Sequence, residues 1–180
     1  MRLQADPASA LTRTASAASA LVEKRLQAGR TVRLTIPTAS MWPMLSPGDA
    51  VLVRAAQPDQ ARVGDIVVGK WGEGWRAHRL IDRRCNAGQT LLVTQGDNSG
   101  VADEAWPELQ LVGVVVAIRH GQREIDVQSA RARQAGAALA FLLRCQSAAQ
   151  RTPGPVIRWA VLKGWRSLIR ASVWLALGVS

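Results

Sequence analysis

Tyrosine is absent from the 180 residues, Phe141 is the only phenylalanine, and histidine and cysteine occur twice each. The large side chains of any core must therefore come from the seven tryptophans and the branched aliphatics. Cys85 and Cys145 are unclustered and lack metal-ligand spacing, which excludes a disulfide framework and a cysteine-built metal site. They read as plain thiols, with one disulfide between them as the alternative. Neither a metal nor a cofactor is expected. An uninterrupted apolar run of the roughly 18 residues that a spanning helix needs occurs nowhere. The opening Met1-Arg2-Leu3-Gln4-Ala5-Asp6-Pro7 lacks a continuous apolar region, so no secretory signal is expected. The protein is accordingly expected to be membrane-associated as a peripheral protein, or cytoplasmic. Acidic residues stop at Asp126: residues 127–180 hold eight basic and no acidic side chains.

The length suits one domain with a modest appendage. An apolar fraction of 48% is ample for a core, although alanine inflates it. A formal charge of +10 would suit a polyanionic partner if it were spread evenly. It is not: residues 1–39 carry six basic and two acidic side chains, and residues 40–126 carry nine and eleven. A slightly acidic middle between basic ends argues for a membrane surface or another anionic contact at those ends, and against a nucleic-acid-reading core.

Hydrophobic spacing divides the chain into an N-terminal helix (1–30), a β-rich domain (31–128) and a helical basic C-terminal extension (129–180). In residues 8–27, Leu11, Ala15, Ala18, Val22 and Leu26 recur at intervals of three and four, and Gly29 ends the run. Short strands are expected at 31–36, 50–54, 65–71, 75–83, 89–95, 111–118 and 123–127, with turns at Gly72-Glu73-Gly74 and Gly121-Gln122. Strands without long intervening helices predict a mainly β, all-β core. Trp71 and Trp75, flanking the first hairpin, are expected to pack across it. A helix follows over 129–150, presenting Ala132, Ala135, Leu139, Leu142 or Leu143, and Gln146. After Thr152-Pro153-Gly154-Pro155, residues 156–177 form a basic amphipathic stretch bearing Trp159, Trp165 and Trp174. That composition suits an interfacial membrane segment, the alternative being a helix docked on the core or on a partner.

The chemistry points to one stretch. The β-prone run Thr31–Ile36 stops at Pro37, whose ring also pushes Ile36 towards extended geometry. Ser40 then lies midway between Pro37 and Pro43, on a short stiff connection of the kind that commonly presents a nucleophile. Taken alone, it reads as a capping serine at an ordinary strand-to-loop junction. Gly48-Asp49 leads into a strand, Gly64-Asp65 repeats the pattern, Ala77-His78-Arg79-Leu80 follows, and then Gly96-Asp97-Asn98. By alternation, His78 shares a strand face with Arg76 and Leu80, a place where a half-buried structural histidine is common. His120, at a hairpin, is expected to be solvent-exposed and without a role.

In this order of elements, and in Ile36-Pro37 with Ser40-Met41-Trp42-Pro43, the chain resembles the type I signal peptidases and the related self-cleaving repressor peptidases. The resemblance runs from about Leu34 to Ile118. It implies a signal-peptidase-like all-β catalytic core and a serine endopeptidase that cleaves a precursor protein or peptide after small residues. Ser40 would be the nucleophile. Ala77-His78-Arg79-Leu80 stands where relatives carry Val-Lys-Arg-Leu or Val-His-Arg-Val, so His78 would be the general base, as in the archaeal and endoplasmic-reticulum branch. Lys70, the rival base, is displaced from that position and is expected at the surface. The third role falls to Asp103 or Asp97; Asp97 is otherwise expected to close an Asx-turn. Thr38, two residues before the nucleophile, and the Ser40 backbone N–H would face the oxyanion. Met41 and Trp42 are expected to wall the substrate cleft. Two other functions fit the pattern. One is a repressor-like autoprotease cutting at Ala28-Gly29. The other is a catalytically idle peptide- or membrane-binding β module.

Overall fold

The computed structural model describes residues 19–72 and 74–150. The chain is mainly β. Eight strands form one antiparallel sheet: β1 (Val32–Thr35), β2 (Ala50–Ala55), β3 (Ile66–Trp71), β4 (Gly74–Asn86), β5 (Gln89–Gln95), β6 (Trp106–Pro107), β7 (Leu111–His120) and β8 (Arg123–Asp126). Their order is β1-β2-β7-β3-β4-β5-β6, with β8 paired to the end of β7. Among the described residues two α-helices accompany the sheet, α1 over residues 19–27 and α2 at Ala130–Gln150.

Alternation along the strands sends side chains into two cores, one on each face. Ile66 and Val68 of β3, Ile81 of β4, Val93 of β5 and Val115 of β7 join Leu26 of α1 and Leu139 and Leu143 of α2 in the larger core. Val67, Leu80, Leu92, Trp106 and Val114, one residue out of phase, form the smaller core on the other face. A strand whose side chains alternate between two buried faces needs apolar residues in both phases, which is why β3 opens with the continuous run Ile66-Val67-Val68. Pairing slips at Leu52/Val53, Val68/Gly69 and Leu80/Asp82. Such irregularities increase local twist and bend the strand.

Helix α2 docks through small residues. An added Cβ on Gly136 would lie 2.7 Å from the Gly64 carbonyl oxygen, and one on Gly64 would lie 2.6 Å from the Ala137 nitrogen. The two backbones therefore meet at a distance only glycine permits, and Gly64 also has a φ of +104°. Its buried face comprises Ala132, Gly136, Leu139, Ala140, Leu143, Gln146 and Ser147. Ala135 and Leu142, expected on that face, are half-buried beside it.

Other expectations change in detail. The short edge strand β6 has only two residues, one of them Pro107, and no periodicity announces so short an element. Trp71 and Trp75 do not pair across the hairpin: Trp71 lies opposite Gly74 and Trp75 opposite Lys70. Trp75 packs on the larger core, whereas Trp71 stays exposed and carries the Arg76 guanidinium 3.7 Å above its ring. Cys85 and Cys145 are free thiols. The first part of the expected N-terminal helix and the basic stretch 156–177 lie outside the described residues. Among the described residues, no helix is long and apolar enough to cross a membrane.

Candidate active site

The loop between β1 and β2 is closed at its neck by two backbone bonds. Ile36 N–H donates to Asp49 O at 2.8 Å, and Gly48 N–H to Ile36 O at 2.9 Å. Asp49 reinforces the neck by accepting the Ser46 N–H at 2.7 Å. Met41, Met44 and Leu45 turn inward and are 1%, 7% and 0% exposed. Met41 is thus a core anchor and not the cleft wall its place in the motif suggested. Its thioether chain fills space beneath the loop, which an apolar side chain achieves only by leaving the surface. Trp42 remains exposed.

With its neighbour Met41 buried, Ser40 is held at the partly exposed crest of this loop. The Gly96–Ser99 turn clamps it from the other side. Asn98 donates its backbone N–H to Ser40 O at 2.9 Å and its side-chain amide to Ala39 O at 3.2 Å. Gly96 makes this approach possible: a Cβ there would fall 2.5 Å from Ser40 O and 3.2 Å from His78 Nε2.

The structure brings Ser40, His78 and Asp103 together. Ser40 Oγ lies 3.1 Å from His78 Nε2, and His78 Nδ1 lies 2.7 Å from Asp103 Oδ2. When Nδ1–H is donated to the carboxylate, Nε2 faces Ser40 with its lone pair, within reach of the hydroxyl proton. His78 comes from the middle of β4 and is largely buried, so the pair is shielded from bulk water. Thr38 Oγ1 is 3.2 Å from Ser40 Oγ, on the exposed side of the same loop.

Asp103 is fixed from several directions. Its backbone N–H donates to Thr94 O at 2.8 Å, which ties the returning segment to β5. The Thr94 hydroxyl donates to Oδ2 at 2.7 Å and accepts the Trp106 indole N–H at 3.1 Å. Arg76 donates to Oδ1 at 3.0 Å. Burial by itself would raise the Asp103 pKa. The hydrogen bonds from His78 and Thr94, together with the positive charge of His78 and Arg76, outweigh it and leave the carboxyl below its ordinary value.

Asp97 does something else. Instead of closing a turn on its own backbone, it accepts from Nε and Nη2 along one edge of the Arg79 guanidinium, at 2.7 and 2.6 Å, in a buried bidentate pair. Arg79 also donates to Gly64 O at 2.7 Å, where α2 meets the sheet. An aspartate two residues beyond a strand that pairs with Arg79 finds a buried cation closer at hand than its own amides. Lys70 lies at the surface, paired with Glu23 of α1 at 2.8 Å. His120 has a side chain 67% exposed, yet its Nδ1 meets Asp49 Oδ1 at 2.6 Å, at the neck of the Ser40 loop.

Arg76, Thr94, Gly96, Asn98 and Trp106 complete the site without having been singled out from sequence. Only Gly96 and Asn98 carried a signal, as parts of the Gly-Asp-Asn turn. A cavity of about 660 Å³ lined by Leu26, Gln57, Lys70, Glu108 and Leu111, among others, includes none of Ser40, His78 and Asp103. Another of about 470 Å³, walled by Trp71, Glu104, Trp106 and Pro107, adjoins the segment that carries Asp103. Comparison with protein-family models and with curated proteins finds no match.

Proposed function

We propose that this protein is a serine endopeptidase of the signal-peptidase kind, working through Ser40, His78 and Asp103. The observation that carries the proposal is the continuous bonding path from Ser40 Oγ through the His78 ring to Asp103, at 3.1 and 2.7 Å. In the proposed reaction Ser40 Oγ attacks the scissile carbonyl as His78 Nε2 takes its proton. Asp103 stabilises the imidazolium that results. The oxyanion is met by the Ser40 backbone N–H and the Thr38 hydroxyl. Collapse returns the proton from Nε2 to the leaving amine, and the acyl group stays on Ser40. Water, deprotonated by the same imidazole, attacks the acyl carbon; the bond to Ser40 Oγ breaks, Nε2 returns the proton to Oγ, and the acyl group leaves as a carboxylic acid. The substrate is a precursor protein or peptide cut after small residues in an extended segment, a preference that rests on the family resemblance. An anionic membrane surface, engaged through residues 156–177, is the proposed second partner, and the proposed location is peripheral to a membrane or cytoplasmic.

Incubation of the full chain with a fluorophosphonate probe, followed by peptide mass spectrometry, tests the reading. Modification at Ser40 that disappears in His78→Ala supports it. Absence of Ser40 modification in correctly folded protein refutes it in favour of an idle β module. A chain shortened after Ala28 on incubation, abolished by Ser40→Ala, would instead make the protein an autoprotease.

A further inference from the structure

We propose that Arg76 is a positioning residue that competes with His78 for the carboxylate of Asp103, and so sets how far into acid the His78–Asp103 pair stays able to accept a proton; its catalytic consequence rests on the serine-peptidase reading. The two oxygens of Asp103 are divided. Oδ2 receives His78 Nδ1 and the Thr94 hydroxyl, both at 2.7 Å, and Oδ1 receives Arg76 at 3.0 Å. Strand alternation puts Arg76 and His78 on the same face of β4, two residues apart, so one carboxylate can bridge them.

Arg76 is not a freely moving surface charge. Its guanidinium stacks 3.7 Å from the centroid of Trp71, and cation–π stacking together with the ion pair holds it in a single orientation. A permanent cation on the carboxylate that must also support an imidazolium disfavours the second cation. Among the described residues, few other charges bear on His78. β3 presents Val67 opposite it, and Lys70 further along is paired with Glu23. β5 presents the uncharged Thr94, with Gln95 turned to the opposite face towards α2, and the nucleophile loop presents Thr38 and Ser40. Arg79, next to His78 but on the other face of β4, is neutralised by Asp97. Glu104, beside Asp103 in the chain, is exposed to solvent. Among the described residues, Arg76 is therefore the cation that shares the Asp103 carboxylate with the His78 ring.

With bonds of 3.0 and 2.7 Å to the two oxygens of one carboxylate, the two cations are taken as roughly 6 Å apart for a Coulomb estimate. At an effective dielectric between that of a protein surface and water, their repulsion corresponds to about half to one pH unit. The test measures the rate of Ser40 acylation by the fluorophosphonate probe from acid to neutral pH. In parallel, the His78 ring-proton NMR titration is followed in a His120→Gln background, in which His78 is the sole histidine. Arg76→Gln should move the acid limb of both curves up by about half to one pH unit, a three- to tenfold rate loss at a pH on that limb. Arg76→Met, which keeps the stem over Trp71 without the charge, should do the same, and Arg76→Lys should restore most of the wild-type profile. Coincident NMR curves for wild type and Arg76→Met overturn the proposal, as does an equal shift in Arg76→Lys. If wild-type Ser40 fails to label while the NMR curves shift as stated, the peptidase reading falls and the control of His78 by Arg76 stands.

Discussion

Replacing Gly96 by alanine separates the geometry of the site from the stability of the fold. The new Cβ would sit 2.5 Å from the Ser40 carbonyl oxygen and 3.2 Å from His78 Nε2. A Cβ contact under 3.0 Å is essentially never tolerated and ordinary contact begins at 3.4 Å, so the contact with Ser40 must open by at least about 0.5 Å, and by about 0.9 Å to become ordinary. No flexible side chain is available to absorb that movement, because the nearest atom is backbone. The Ser40 carbonyl is also where Asn98 N–H is bound at 2.9 Å, so opening the contact loosens the clamp as well. A misplacement approaching 1 Å at a reacting group costs on the order of 10²-fold in rate. The added methyl should destabilise the fold by only about 1–3 kcal/mol, as overpacking usually does. The assay is the rate of Ser40 acylation by the fluorophosphonate probe beside a urea midpoint for each variant. Gly74→Ala serves as control, since its Cβ would meet nothing nearer than 4.0 Å. A Gly96→Ala protein that acylates within threefold of wild type would refute the claim that this glycine sets the distance between nucleophile and base.

His78→Ala should lose roughly 10²–10⁴-fold in acylation, the usual contribution of a general base, whereas Lys70→Ala should change it little, because Lys70 lies on the surface with Glu23. Asp103→Asn should slow acylation and also alter acid sensitivity. A carboxyl held below its ordinary value stabilises the fold above the unfolded value of about 3.9, and this stabilisation is lost as pH falls through the folded value. The urea midpoint of wild type should therefore drop more steeply than that of Asp103→Asn between about pH 5 and pH 2; parallel curves would contradict the assignment. Asp97→Ala leaves Arg79 buried without its partner and should cost about 3–5 kcal/mol, read as a lowered urea midpoint. Full-length protein should sediment with anionic liposomes at low salt and be partly released at high salt, while a chain ending at Arg151 should not sediment; indifference of the full chain would exclude residues 156–177 as a membrane contact.

The parts of this structure that could be read from sequence are those whose partners are local. Alternation and turn residues placed seven of the eight strands, and helix α2 followed from its apolar spacing, because each depends on neighbours a few residues away. The approach of His78 to Ser40 was legible only through the resemblance, since nothing local joins residues 38 positions apart. The choice between Asp97 and Asp103 turned on strand register. His78 and Arg79 face opposite sides of β4, so their two partners must also lie on opposite sides of the sheet. Arg79 pairs with Gln95 across β4 and β5, and the chain just beyond Gln95 delivers Asp97 to the Arg79 side. Asp103 reaches the His78 side only after the chain has turned back and bonded its own N–H to Thr94 O. A slip in pairing between Leu80 and Asp82 alters that register and carries no sequence signature. The same register decides the acid's supporters. Thr94 and Arg76 surround Asp103 because of where β5 and β4 lie, and Gln95, between Thr94 and Gly96, points away to accept the Ser147 hydroxyl of α2 at 2.7 Å. Gln95 also donates to Ser99 O at 2.8 Å, so the turn that clamps Ser40 is braced by the strand to which α2 bonds. The helix beyond the β-rich segment is thereby part of what holds the candidate nucleophile in place, a dependence that becomes visible only once the strands are paired.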